Sequence, residues 1–186
     1  MYNEVEYWKH RPTPNAATID LITQNHIDYV TAQLNNCINI LDFGPGDGRM
    51  FIAYKHLKSV SAFDITDIRK SILLEQASKY SFEFVLTTDE VVGQLPYNNK
   101  RYDAAVATEV LLHQRPENIE RVMLELLRVS KKVIVITWQE DNVNYGSGKS
   151  SHCFHHDYST ICEDNNLQMI DVERLSNQIF FVYKER

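Results

Sequence analysis

The sequence is short of cysteine: its 186 residues include three, Cys37, Cys153 and Cys162, far apart and without a CxxC pair. An odd, scattered set builds no disulfide framework and suits a reducing compartment, so a cytoplasmic protein is expected. Long apolar runs are missing too. No stretch approaches the roughly 18 apolar residues of a membrane span, and the opening MYNEVEYWKHRPTPN has no apolar signal core, so neither membrane nor export is expected. With 6 glycines, 5 prolines, 44% hydrophobic and 24% charged residues, the chain lies outside the disordered and collagen-like classes. Basic residues are outnumbered 19 to 25, for a net charge of −6, and they are scattered. A phosphate-backbone binder gathers positive charge on one face, so nucleic acid is not an expected partner.

What is present is one continuous alternation of helix and strand, without repeats, at a length that suits one domain. Residues 1–15 carry Tyr2, Tyr7, Trp8, His10 and Arg11 without a helical or strand period before Pro12 and Pro14 interrupt, which reads as an arm and a possible lid. From Ala16 to Leu34 the positions Ile19, Ile22, Ile27, Val30 and Leu34 keep a helical period. Ile38 to Phe43 is a short apolar strand, a helix is expected from Gly48 to Leu57, and Ser59 to Asp64 forms a second strand. Thr66 is placed to cap a helix running to Lys79. Phe82 to Leu86 and Asp103 to Ala107 are further strands. A helix starts at Pro116 and keeps its period to Ser130, and Val133 to Ile136 is apolar on both faces, as a central strand is. After a polar loop, Gln139 to Ser151, a helix is expected from His156 to Asn165. Strands Gln168 to Leu175 and Gln178 to Lys184 are then separated by Ser176-Asn177 alone. Two residues permit a hairpin and forbid a parallel crossover, so the last strand must run antiparallel. The expected fold class is α/β: a doubly wound, mostly parallel seven-stranded sheet with an antiparallel last strand and helices on both faces. Ligands of such sheets lie beyond the carboxyl ends of the strands.

The strongest local signal stands there. Asp42-Phe43-Gly44-Pro45-Gly46-Asp47-Gly48 runs from a strand into a glycine turn that opens a helix, where the backbone can approach a ligand closely. Arg49 takes the place of the last glycine of the dinucleotide pattern, and no GxxxxGK[ST] occurs, which disfavours nicotinamide and triphosphate readings. Asp64 ends the next strand 22 residues after Asp42 and can accept hydrogen bonds from both hydroxyls of a ribose. Asp89 follows Thr87-Thr88 at the end of the third strand, where a carboxylate can meet an adenine amino group.

This ordered set, with Tyr102 to His113 spanning the fourth strand and the turn after it, resembles the class I S-adenosylmethionine-dependent methyltransferases of the small-molecule type, over Ile38 to Lys184. The resemblance implies S-adenosyl-L-methionine as cofactor. It places Gly44 and Gly46 beneath the methionine part, with Phe43 and Pro45 in the same loop and Asp42 supporting it. Asp64 would then hold the ribose, Ile65 would pack on adenine, Thr88 and Asp89 would meet its edge, and Thr108 would close the site from the fourth strand. The fourth strand lacks an NPPY-type sequence, which argues against methylation of nucleobase amino groups or glutamine amides.

Methyl transfer is an in-line displacement, so the protein positions donor and acceptor and removes a proton from the nucleophile. His113, just beyond the fourth strand, is the candidate catalytic base. His152, His155 and His156 with Asp157 have the residue types of a metal site, but HxxHHD matches no metal motif, and lining an acceptor pocket or a plain surface loop is the expected use. Trp138 either lines the pocket or caps the core. The expectation is O-methylation of a small molecule by a monomer or homodimer. The competing readings are a cofactor-binding regulatory module without catalysis, a protein or RNA methyltransferase, and, more distantly, a dehydrogenase.

Overall fold

A computed structural model of the chain describes residues 3–11, 21–89, 94–138, 151–175 and 177–186. Seven strands, β1 (Asn39–Phe43), β2 (Ser59–Asp64), β3 (Glu83–Thr88), β4 (Ala104–Thr108), β5 (Val133–Trp138), β6 (Leu167–Leu175) and β7 (Gln178–Glu185), form one sheet in the order β3-β2-β1-β4-β5-β7-β6. The first five are parallel, and β7 runs antiparallel between β5 and β6. This is the expected doubly wound sheet with its antiparallel last strand.

Alternation along the strands sorts the core into two layers, because successive side chains leave opposite faces. Leu41, Phe43, Ala105, Val133, Val135, Phe181 and Tyr183 bury one face against α4 (Pro116–Val129) and α5 (Tyr158–Asp164), whose Met123, Leu126 and Cys162 are buried. Ile40, Val60, Val106, Ile134, Phe180 and Val182 bury the other against α2 (Leu21–Gln33), α3 (Lys70–Ala77) and a 3₁₀ turn, Arg49–Tyr54. In α4 the residues Ile119, Val122, Met123, Leu126 and Leu127 recur at helical spacing and all are buried, so the period read from the sequence is the packed face. Among the described residues no helix is long and apolar enough to cross a membrane.

Winding begins at β1, proceeds outward through β2 and β3, then returns to β4 on the other side of β1. The loops after β1 and β4 therefore leave in opposite directions, and a crevice opens between them at the carboxyl ends of the strands.

Three local expectations differ from what is found. The segment read as aperiodic forms a short helix, α1 (Glu4–Lys9), because the Asn3 side chain accepts a hydrogen bond from the Glu6 N–H at 3.2 Å and caps it. The helix expected over 48–57 is a 3₁₀ turn, since Gly48, at φ +80°, gives the chain a left-handed start and no side chain caps it. The helix expected to begin at Thr66 begins at Lys70, because the Thr66 N–H and hydroxyl both turn back to Asp64 Oδ1, at 3.0 and 3.4 Å. Residues 12–20, most of the loop expected over 139–151, and Ser176 of the hairpin lie outside the described residues.

Candidate active site

A cavity of about 520 Å³ occupies the crevice, and its two walls are built differently. The first wall is backbone. β1 ends at Phe43, and Gly44, at φ +70°, donates its N–H to the Phe63 carbonyl at 2.8 Å, pulling the turn against β2. A Cβ on Gly44 would lie 2.4 Å from Val110 Cγ2, so only glycine fits. Gly46, at φ +59°, is the opposite case: among the described residues nothing lies within 4 Å of where its Cβ would be, and its backbone borders the cavity.

Behind this turn Asp42 is fully buried, and burial pushes its carboxyl up to about 7. The neighbouring Tyr54 hydroxyl works against that rise and the nearby Asp64 adds to it. Asp64 is 8% exposed and lines the cavity; burial raises its carboxyl, and the Thr66 N–H and the Arg69 guanidinium oppose the rise.

β4 supplies the corner where the walls meet. Thr108 ends it with its Oγ1 buried and without a hydrogen-bond partner among the described residues. Next comes Glu109, held at φ +53°. Its carboxylate ion-pairs with Arg49 and accepts hydrogen bonds from Trp138 Nε1 at 2.6 Å and Gln178 Nε2 at 2.8 Å. The buried His26 in turn donates from Nε2 to Gln178 Oε1 at 2.9 Å. One carboxylate thus ties the 3₁₀ turn after β1 to the end of β5 and the start of β7 on the cavity floor. Glu109 lies within the Tyr102 to His113 stretch of the sequence, which by itself assigns it no role. Its one legible signal is a charged residue directly after a strand of small side chains.

The second wall is side chains from three distant segments. His113 sits on a 3₁₀ turn, Leu111–His113, and the Phe154 N–H donates to the Leu112 carbonyl at 2.7 Å, which fastens residues 152–154 to that turn. His113 Nδ1 lies 2.9 Å from the His152 carbonyl; a carbonyl only accepts, so Nδ1 carries the proton and Nε2 the lone pair. Burial pulls the His113 imidazole down to about 4, so it is neutral at physiological pH. The His152 ring stacks on His113 at 5.2 Å and on Tyr7 at 4.6 Å, while Trp8 meets His113 edge-on at 4.7 Å. Trp8 also lies under the Arg69 guanidinium, 5.7 Å from its ring centre. Helix α1 therefore borders the cavity through Glu4 and Trp8, with Arg11 just beyond it.

Of the residues singled out in the sequence, Asp42, Phe43, Gly44, Pro45, Gly46, Asp64, Ile65, Thr108, His113 and Trp138 all line this one cavity. Thr88 and Asp89 do not. They are exposed one strand over, Thr88 in register with Asp64, with the Asp89 N–H 3.2 Å from the Asp64 carbonyl. The histidine run is split. His152 faces the cavity, His155 is exposed, His156 is buried edge-on to Tyr158, and Asp157 caps α5 by accepting from the Thr160 N–H at 3.0 Å. His152, His155, His156 and Asp157 therefore do not converge on one point.

The family described as methyltransferase domain matches residues 40–133, half of the chain, and the chain belongs to it. It is a class I S-adenosylmethionine-dependent methyltransferase. Among solved structures, it is similar to magnesium protoporphyrin IX methyltransferase from Synechocystis PCC 6803 with bound S-adenosylhomocysteine. The identity is 15% and the TM-score 0.74, with 99% of this chain and 96% of that chain covered. A protein of Pyrococcus horikoshii OT3 aligns at 15% identity and TM-score 0.73 over 97% of this chain and 99% of that one. A third, Burkholderia thailandensis 1,6-didemethyltoxoflavin-N1-methyltransferase, aligns at 16% identity and TM-score 0.68 over 89% and 78%. At such identities these likenesses establish the fold. No curated protein matches the sequence.

Proposed function

We propose that this methyltransferase acts on a hydroxyl of a small molecule, with donor and acceptor meeting in the cavity between the Gly44–Gly46 turn and His113. The observation that carries this reading is that one cavity joins the two walls. Its volume of about 520 Å³ is the size of a small-molecule site, and a helix lies over it. A polymer acceptor needs an open groove, and a net charge of −6 disfavours a nucleic acid.

Three features of the first wall fit S-adenosylmethionine: the bare surface at Gly46, the unpartnered Thr108 hydroxyl, and the Asp64 carboxylate beside Ile65. In this reading Gly44 and Gly46 pass beneath the methionine part with Phe43 and Pro45 holding the turn, Asp42 supports it from below, and Asp64 accepts from the ribose hydroxyls. Thr88 and Asp89, exposed beside Asp64, reach only the outer edge of the adenine. Bound cofactor supplies the electrophilic methyl group. The protein's work lies on the acceptor side. Gln114 borders the cavity with Oε1 buried and unpartnered among the described residues, placed to accept from an acceptor O–H or N–H. His113, neutral and with Nε2 unprotonated, is placed to take the hydroxyl proton as the new bond forms.

The test is an acceptor screen with S-adenosylmethionine over small phenols, alcohols, carboxylic acids, amines and thiols, read by mass for the methylated product. Methylation at oxygen, reduced about 100-fold by His113→Gln while calorimetric cofactor affinity stays within about 0.5 kcal/mol, is the expected result. Methylation of amines alone, or of protein or RNA, overturns the acceptor assignment. Full turnover in His113→Gln removes the base.

A further inference from the structure

We infer that His113, His152 and Cys153 form a metal site of the zinc class in the cavity wall, with its open coordination position facing the space beside the methyl donor. One ligand atom from each of the three lies within 4.8 Å of the other two, and all three residues line the cavity. The inference rests on the acceptor-side reading above for what the open position is for, and on the ligand geometry alone for the metal.

The donor set is specific. Two imidazoles and a thiolate are ligands for zinc and its neighbours, and they are poor ligands for magnesium or calcium, which take oxygen. A tetrahedron with bonds of 2.0–2.3 Å has edges of roughly 3.3–3.8 Å, so the three ligand atoms must close by about 1 Å. With His113 held by its Nδ1 hydrogen bond, rotation of the His152 and Cys153 side chains has to supply that, carrying Cys153 Sγ from its place 3.8 Å from His113 Nδ1 toward Nε2; the two short segments are already fastened together by the Phe154–Leu112 hydrogen bond. The shell behind the ligands is in place as well. His113 donates from Nδ1 to the His152 carbonyl at 2.9 Å, the contact that fixes tautomer and ring orientation in a ligating imidazole.

Burial keeps both imidazoles neutral, the form that binds metal. Burial also raises the Cys153 thiol, and binding of a cation would displace its proton. The Arg11 guanidinium, near enough to act on all three, favours that thiolate. It also repels the cation, and the thiolate charge offsets this. Three protein ligands leave a fourth position for solvent or for the acceptor, as in catalytic rather than structural zinc sites. A hydroxyl or thiol held there has its pKa lowered by the cation. With metal bound the His113 lone pair would be a ligand, the cation would lower the acceptor's pKa and the proton would pass to solvent; in the metal-free protein His113 keeps the role of base.

This site is invisible as a sequence motif because 39 and 40 residues separate His113 from its partners. The HxxHHD run contains two of the ligands, His152 and the adjacent Cys153, but the third, His113, comes from the turn after β4.

The experiment uses the full chain, freed of metal with a chelator and titrated with Co²⁺ and then Zn²⁺. One equivalent of Co²⁺ should give visible d–d bands of tetrahedral intensity and a near-ultraviolet thiolate-to-cobalt charge-transfer band, both bleached by Zn²⁺ and unaffected by excess Mg²⁺. Cys153→Ser should lose the charge-transfer band. His152→Gln should weaken zinc by about 100-fold or more, since even outer-shell partners contribute 10–100-fold. Circular dichroism of each variant guards against misfolding, and Cys162→Ser serves as a thiol control that keeps the band. Failure to bind one equivalent of either metal, or a charge-transfer band that survives in Cys153→Ser, overturns the site. Titration of the metal-free protein with S-adenosylhomocysteine reports separately on the methyltransferase reading, because the Gly44–Gly46 turn and Asp64 do not touch the three ligands.

Discussion

The two walls of the cavity come from opposite strategies. The first, which we propose as the donor wall, is local: Asp42 to Gly48 is one turn, Asp64 and Ile65 are the next strand end, and the shape is made by backbone torsions at Gly44 and Gly46. The second, which we propose as the acceptor wall, is assembled: Trp8 on α1 meets His113 after β4 edge-on at 4.7 Å, and His113 stacks on His152 before α5 at 5.2 Å. A wall of backbone is specified by residues that must be glycine. A wall of side chains is specified by whatever the fold brings together, and it can change without disturbing the sheet beneath it.

The sharpest way to break this contrast is inside the glycine turn. Gly44→Val places a β-branched residue at φ +70° with its Cβ 2.4 Å from Val110 Cγ2. Strain of about 1–3 kcal/mol from the torsion and a similar overpacking cost should lower the melting temperature by roughly 6–12 °C and abolish cofactor binding. Gly46→Ala meets nothing within 4 Å, so its melting temperature should fall only by the torsional cost, yet its methyl fills the bare surface and cofactor affinity should drop at least about tenfold. Equal effects on melting and binding at the two positions would mean the turn is structural only.

Asp42 tests the same wall by pH. Its carboxyl sits at about 7 in the folded protein, raised by burial and by Asp64 and opposed by Tyr54 and Arg49. The unfolded value is about 3.9, so the folded state binds the extra proton between the two. Stability is therefore lost as pH rises through that window, at up to about 1.4 kcal/mol per pH unit. Asp42→Asn removes this term. The melting difference between variant and wild type should grow in the variant's favour from pH 5 to 7 and become flat above about pH 8. Parallel melting curves across that range would show that Asp42 is charged in the folded state.

The same division decides what could be read from the sequence. The sheet, its antiparallel last strand and α4 were legible, because period, strand length and a two-residue connection are local. The glycine turn at the end of β1 was legible because glycine at a strand end has few other uses. Three things were not. The Asn3 cap that makes Glu4–Lys9 a helix is one side chain and leaves no period. Asp64 drawing back Thr66 moved the start of α3 by four residues, a competition between two local hydrogen-bond patterns that composition does not rank. The role of Glu109 depends on Arg49, Trp138 and Gln178 converging from three segments, which only the fold supplies.

At Asp64 the expected effect is intermediate. Asp64→Ala should weaken S-adenosylhomocysteine by about 1.5–3 kcal/mol, the scale of hydrogen bonds to a charged group. It should also loosen the 65–69 turn, because the Thr66 N–H loses its acceptor. Asp64→Asn keeps an acceptor for Thr66 and should restore melting but only part of the affinity. If the Asn variant recovers both, the carboxylate serves the turn and the ribose assignment fails.

The smallest effect is expected where α1 meets the acceptor wall. Trp8 holds two contacts that span the cavity, edge-on to His113 at 4.7 Å and under Arg69 at 5.7 Å. Neither belongs to the core, since α1 has no buried residue. Each is worth about 0.5–1.5 kcal/mol, a modest contribution to holding α1 against the cavity. Trp8→Ala should therefore leave the melting temperature within about 2 °C, as a change of roughly 0.5 kcal/mol does in a chain of this length. Ligand exchange is where the loss should appear. In stopped-flow displacement, S-adenosylhomocysteine should dissociate about five- to tenfold faster, a change of roughly 1 kcal/mol in the closed state, while the association rate stays near wild type. Trp8→Phe keeps the edge-on ring contact and should recover most of the slow release. Unchanged dissociation in Trp8→Ala would mean that α1 leaves the cavity open in solution and that the donor wall alone retains the cofactor.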